Sequence, residues 1–166
     1  MLGAPSQAGE LVFDLAKFHA DNDAARKYIG LDGTSDPGTQ KKVTENMLSA
    51  EVLDIAKHPS ATFEILSALP VAAVSERGLP QYKLQGVLTL LDKKQSLEFL
   101  VDVEEKNGWQ HVRGKFSILQ SQFGIKPLTK VMGTIGVADK LEVFGDLWVA
   151  PGNAAGPVDD RTREQR

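Results

Sequence analysis

The sequence predicts an all-β domain, an antiparallel sheet curling into a barrel of about six strands, with a helical insertion between the first two strands. Three observations carry that expectation. From Phe63 onward, apolar residues recur at every second position through most of the chain, the period of a strand with one buried face. The pair Asn107-Gly108 stands between two such runs and is a strong short-range hairpin signal. Ahead of them, residues 22–56 carry the caps and spacing of helices instead.

With 166 residues, 42% hydrophobic and 25% charged, the chain has the profile of one soluble globular domain. That domain is expected over residues 10–150, after a flexible segment 1–9 and before a disordered tail 151–166 that lacks any periodic apolar face. A formal net charge of -3 and a pI near 5.6 give no broad cationic surface for phosphate backbones, so no nucleic-acid partner is expected. The absence of cysteine excludes disulfides, thiol catalysis and cysteine-ligated metal sites. No apolar run reaches the roughly 18 residues of a membrane-spanning helix. Met1 to Glu10 lacks the basic start and apolar stretch of an export signal, which makes the chain cytoplasmic if Met1 is its true start.

In "ELVFDLAKF" (10–18), Leu11, Phe13 and Leu15 alternate with Val12, Asp14 and Ala16, which predicts a first strand. "DNDAARKYIGLDG" follows, with an acidic start and Gly30 where a helix would stop, so a short helix is expected over 22–29. "GTSDPG" (33–38) reads as a loop. From Thr39, Val43 and Met47 stand four apart on a narrow helical stripe. Ser49 is placed to cap one more helical turn, which must end at His58-Pro59, because a pre-proline residue disfavours helical backbone and Pro59 supplies no amide hydrogen.

"SATFEI" then takes up period two with Phe63 and Ile65. The strands that follow carry Tyr82, Leu84, Gly86, Leu88 and Leu90; Leu97, Phe99, Val101 and Val103; and Val112, Gly114, Phe116 and Ile118. Their alternate positions hold Lys83, Gln85, Glu98, Asp102, Glu104, Arg113 and Lys115, as on a sheet with one wet face. "LLDKKQSL" and "EEKNGWQ" read as hairpin connections. In "KLEVFGDLWVA" (140–150), Leu141, Val143, Gly145, Leu147 and Val149 share one face, and Phe144 and Trp148 the other.

No catalytic residue is expected. His19, His58 and His111 lie in separate segments without metal-ligand spacing. Glu104 and Glu105 are neighbours on a strand, so they point to opposite faces and cannot act as a carboxylate pair. Ser49, Ser60, Ser117 and Ser121 lack a nucleophile-elbow setting, and "GTIGV" (133–137) is too short for a phosphate-binding loop. Neither a metal nor a cofactor is expected, and the chain is read as a non-enzyme.

Three segments, in order, resemble the YceI-like family of small bacterial lipid-binding β-barrels. "SAEVLDIAKHPSATFEI" is similar to the family's helical turn and strand opening through Asp54, Lys57, Pro59, Thr62 and Phe63. "LQGVLTL" is similar to its next motif through Leu84, Gly86, Leu88, Thr89 and Leu90. "GKFSILQSQFGI" matches through Gly114, Phe116, Ile118, Phe123, Gly124 and Ile125. The chain departs from the pattern at Leu91-Asp92, where many members have histidine-glycine, at Val43-Thr44 in place of arginine-aspartate, and at Gln122 in place of an acidic residue.

The resemblance implies a lipocalin-like barrel, periplasmic or secreted, that holds a long apolar ligand such as an isoprenoid lipid or a quinone. On that reading the lining is Phe63, Ile65, Leu88, Leu90 and Phe99, continued by Val101, Phe116, Ile118, Phe123 and Val143. The helical insertion would cap one end. "SQFGIKP" (121–127) has two readings, a plug in the barrel end or the mouth of a pocket. Family barrels have about eight strands, so six leave the wall open with two exposed edges. A late start in a longer exported protein, or closure by another segment or chain, is expected to account for the gap. The rival reading is a ligand-free module whose core is full and whose exposed edges pair into a homodimer.

Overall fold

The computed structural model describes residues 9–127 and 137–150. The expectations for the N-terminal segment ahead of Gly9, for the C-terminal tail and for Gly133 to Gly136 lie outside them. Six strands follow in chain order: β1 (Gly9–Asp14), β2 (Ser60–Val74), β3 (Pro80–Leu90), β4 (Lys93–Lys106), β5 (Trp109–Leu119) and β6 (Lys140–Val149). Each pairs antiparallel with the next in a single sheet, β1-β2-β3-β4-β5-β6, curled into a half-barrel. Among the described residues β1 and β6 each pair with one strand, so the wall is open between them, as the strand count predicts.

β1 is shorter than the alternation predicts. The Asp14 carboxylate accepts the Ala16 amide, turning the chain into a 3-10 helix over Leu15–Lys17, and the Leu15 amide donates to the Pro59 carbonyl at 2.9 Å. β2 is much longer than "SATFEI". Leu66 is an extra residue between the pairs Ile65–Gly86 and Ser67–Gln85, so the inward positions change from Ala61, Phe63 and Ile65 to Ala68 and Pro70. A bulge shifts the alternation by one residue, and that slip hides the second half of the strand from a period-two reading. Pro70 is tolerated because β1 begins at Gly9, opposite Ile65, leaving the rest of β2 with β3 as its strand neighbour among the described residues.

The insertion holds two short helices, α1 (Asp23–Tyr28) and α2 (Pro37–Leu48). Asn22 caps α1 on the Ala25 amide, and Gly30, at φ 75°, ends it where the sequence predicts. α2 begins inside the expected loop: Asp36 accepts the Thr39 amide, and Pro37 fits the first turn, where its missing donor costs nothing. Ser49 closes α2 instead of opening another helical turn. Residues 49–57 form hydrogen-bonded turns, with the Leu53 amide on the Met47 carbonyl, the Asp54 amide on the Ser49 carbonyl and Asp54 at φ 41°. The helical part therefore ends at Leu48 and not near residue 56. Neither helix buries a residue, and Val43 of the expected stripe is exposed.

The core lies at one end of the half-barrel. Leu53 from the turns before β2, and Phe123 and Ile125 from a 3-10 turn after β5, cluster with Phe63 and Leu88 of the sheet. Leu11, Phe13, Leu90, Leu97, Phe99 and Ile118 pack around them. Thus the turn at His58-Pro59 answers a packing need: the chain drops Leu53 into the barrel end and re-emerges at once as the strand that carries Phe63.

Candidate functional site

Directly opposed residues of neighbouring strands share a face of the sheet. The register pairs Phe63 with Leu88, Ile65 with Gly86, Leu84 with Phe99 and Tyr82 with Val101. It continues with Val101 opposite Gly114, Phe116 opposite Val143 and Ile118 opposite Leu141. Leu90 follows Leu88 by two positions. Nine of the ten residues predicted to line a barrel therefore stand on one face, the inner one. The tenth, Phe123, belongs to the 3-10 turn at the end of the half-barrel and is only 1% exposed.

Two glycines shape this face, and the predicted lining leaves them out. A methyl group on Gly86 would lie 2.5 Å from Phe63 Cζ, and one on Gly114 would lie 2.7 Å from Val101 Cγ1. Bare backbone at these points makes room for large neighbours. The rings form a row across the sheet: Phe63 and Phe99 have centroids 5.7 Å apart, and Phe99 stacks on Phe116 at 4.7 Å. Phe63 is buried, whereas Phe99, Phe116, Ile118 and Val143 are half-buried. Apolar surface consequently remains open along the β4–β6 side.

The two ends of the face differ. At one, Phe123 and Ile125 plug the interior, and the Gln95 side-chain amide donates to the Gln122 carbonyl at 3.4 Å. Of the two readings of "SQFGIKP", the plug is the one observed. At the other, Glu105, Gln110 and Val149, with Gly108 and Ala150, border an open recess of about 210 Å3.

The outer face is polar and cross-braced. Arg113 pairs with Asp102 at 3.2 Å and Glu104 at 3.1 Å, Lys83 with Glu98 at 3.3 Å and Lys115 with Glu142 at 2.9 Å. A hydrogen bond from the Gln85 amide, then one from Lys83, holds the Glu98 carboxyl below the usual carboxylate range. The histidines are scattered: His58 faces Asp92 at 3.2 Å, His111 stacks on Trp148 and meets Asp146 at 2.5 Å, and His19 is exposed. Among the described residues no three histidine, aspartate or glutamate side chains are grouped to hold a metal.

The family model of the YceI-like domain matches residues 4–147. The chain belongs to the YceI-like family. Solved structures agree in fold. BcnA of Burkholderia cenocepacia superposes with a TM-score of 0.62 at 19% identity, over 85% of this chain and 73% of that one. The YCEI protein of Campylobacter jejuni superposes at 0.58 and 10% identity, over 87% and 72%. A mutant of the latter, described with a monobromobimane guest, reaches 0.53 at 11% identity over 68% and 64%. No curated protein sequence matches the chain. In this YceI-like domain the family motifs fall on structural positions: Gly86 and Gly114 lie under packed side chains, and Phe123, Gly124 and Ile125 form the plug.

Proposed function

We propose that this YceI-like domain binds an apolar long-chain molecule on its inner face and performs no chemistry on it. The observation that carries the reading is the row Phe63, Phe99 and Phe116, of which Phe99 and Phe116 remain half-buried beside a wall left open among the described residues. Covering such surface yields roughly 25 cal/mol per Å2, less the cost of ordering the ligand. Nothing else is required of the face, and its inward strand positions present aliphatic and aromatic side chains across five strands. Ile65, Leu88, Leu90, Val101, Ile118 and Val143 extend the proposed lining around the rings.

The ligand class that fits is a flexible hydrocarbon, an isoprenoid lipid or the tail of a quinone, because the surface offers length and few hydrogen-bonding groups. The family resemblance supports the same class and a periplasmic place of action. Uptake of an isoprenoid quinone from detergent micelles, read by its ultraviolet absorbance in the protein peak after gel filtration, tests the reading. Phe116→Asp should abolish uptake while the far-ultraviolet circular dichroism stays that of a β-sheet. A folded variant that binds like the parent would remove the inner face from consideration.

A second reading is favoured by one observation, the two strand edges at β1 and β6 that have no further strand partner among the described residues. Such edges are templates for pairing, and a homodimer joined there would need no ligand. A concentration-dependent dimer that takes up no quinone would support it.

A further inference from the structure

We infer that the recess at the open end of the half-barrel is a head-group site, and that it takes a group that donates a hydrogen bond and bears no negative charge, on an isoprenoid chain the hydroxyl of an alcohol. The inference rests on the inner-face reading above, for which it names the polar end of the ligand.

Along β4 the inward positions begin with Lys93 and Gln95, pass through Leu97 to Val103 and end at Glu105. Across the six strands, Lys93 and Glu105 are the charged residues at inward positions among the described residues. The polar pair at the closed end is engaged by the plug. The Lys93 ammonium lies over Gly124, where an added methyl group would meet Nζ at 2.6 Å, and Gln95 donates to the Gln122 carbonyl at 3.4 Å. At the open end, Glu105 stands directly opposite Gln110 of β5, which stands opposite Val149 of β6. These three, with Gly108 and Ala150, border the recess of about 210 Å3. Neither Glu105 nor Gln110 makes a side-chain hydrogen bond or an ion pair among the described residues, whereas Glu104, one position along, is held on the outer face by Arg113. Lys106, on the other side of Glu105, pairs with Trp109 on that outer face as well.

Glu105 stands six positions beyond Phe99, roughly 20 Å along the strand at the usual rise. A chain lying on the rings of Phe99 and Phe116 thus brings its polar end to the recess, in reach of water. The opposite orientation would set that end against Phe99, Phe116 and Ile118, beside polar side chains already engaged by the plug, and a buried polar group without a partner is costly.

The two side chains then select the head group. A carboxylate only accepts hydrogen bonds, and a side-chain amide both donates and accepts. A hydroxyl can therefore donate to Glu105 and accept from Gln110 at once. The carbonyls of a quinone ring also only accept, so they find a donor in Gln110 and face the Glu105 carboxylate unpaired. A phosphate ester places like charge beside Glu105, and no cationic side chain shares an inward strand position at that end among the described residues.

Titration of the full chain in detergent with a polyprenol, its monophosphate and an isoprenoid quinone of equal chain length, each quantified in the protein peak by extraction and mass spectrometry, tests this. The alcohol is expected to bind about fivefold more tightly than either rival, the worth of one hydrogen bond, and the gap to the phosphate should narrow with added salt. Glu105→Gln should bring all three within about twofold of one another. Glu104→Gln, the same change of charge one position away on the outer face, should keep the parent's ranking. Phe116→Asp should abolish uptake of all three, so the inner face and its head-group site read out separately. A parent that binds the phosphate or the quinone as tightly as the alcohol, or a Glu105→Gln variant with the parent's ranking, would overturn this inference alone. Uptake of none of the three would overturn the inner-face reading and this inference with it.

Discussion

Phe63 lies against the bare backbone of Gly86, so closely that a methyl group there would come within 2.5 Å of its ring and press on the Glu64 carbonyl oxygen. Backbone as well as side chain stands in the way, so rotation of the ring cannot relieve the clash. Gly86→Ala should therefore destabilise the domain by about 1–3 kcal/mol, the usual cost of overpacking. Gly145, on the same face of β6, is the control. A methyl group there would meet nothing closer than the Gly114 carbonyl at 3.8 Å, so Gly145→Ala should stay within about 0.5 kcal/mol of the parent in urea unfolding.

Phe123 should behave as a core residue. It is 1% exposed within a cluster of Leu53, Phe63, Leu88 and Ile125, and Phe123→Ala should cost about 3–5 kcal/mol through lost burial and the cavity left behind. Val43→Ser, on the exposed side of α2, should change the midpoint of thermal unfolding by no more than a degree or two. Equal effects would contradict the burial of Phe123 in the core and the exposure of Val43 on α2.

Acid should loosen the strap that ties the plug to β6. The Ser121 hydroxyl and amide both donate to the Asp139 carboxylate, holding it below the usual carboxylate range. A folded-state value below the unfolded one, near 3.9, means that the contribution is complete above about pH 4 and is lost as pH falls through the folded value. Asp139→Asn should lower the melting temperature at pH 7 and flatten its decline below about pH 4. An unchanged acid profile would show that the strap does not report on folding.

Much of the architecture is legible because one face of each strand is apolar. Leu84 to Leu90, Leu97 to Val103, Val112 to Ile118 and Leu141 to Leu147 keep strict alternation and all fall on the inner face. Asn107-Gly108 forms its turn with φ of 54° and 79°, the geometry that the residue pair favours. The other tight hairpin, Leu91-Asp92, also needs positive φ at both positions, 50° and 57°, without residues that announce it. The strands on either side identify that turn.

Three features escape for local reasons. The bulge at Leu66 reverses the alternation of β2, Asp14 spends its side chain on a turn that ends β1, and Asp36 draws Pro37 and Gly38 into a helix. Of the candidate lining, the strand residues are legible from period two. Phe123 is not separable from them by hydrophobicity, because its place in the plug depends on the 3-10 turn and Gly124, at φ 78°.

Native mass spectrometry of the purified chain, followed by organic extraction and lipid identification, tests the proposed function most directly. One isoprenoid-type molecule bound per chain, or one taken up when polyprenol is offered in detergent, is the result expected of an inner face that carries an apolar ligand. A folded chain that arrives empty and remains empty with polyprenol in excess would contradict it and leave the filled, edge-pairing module in its place.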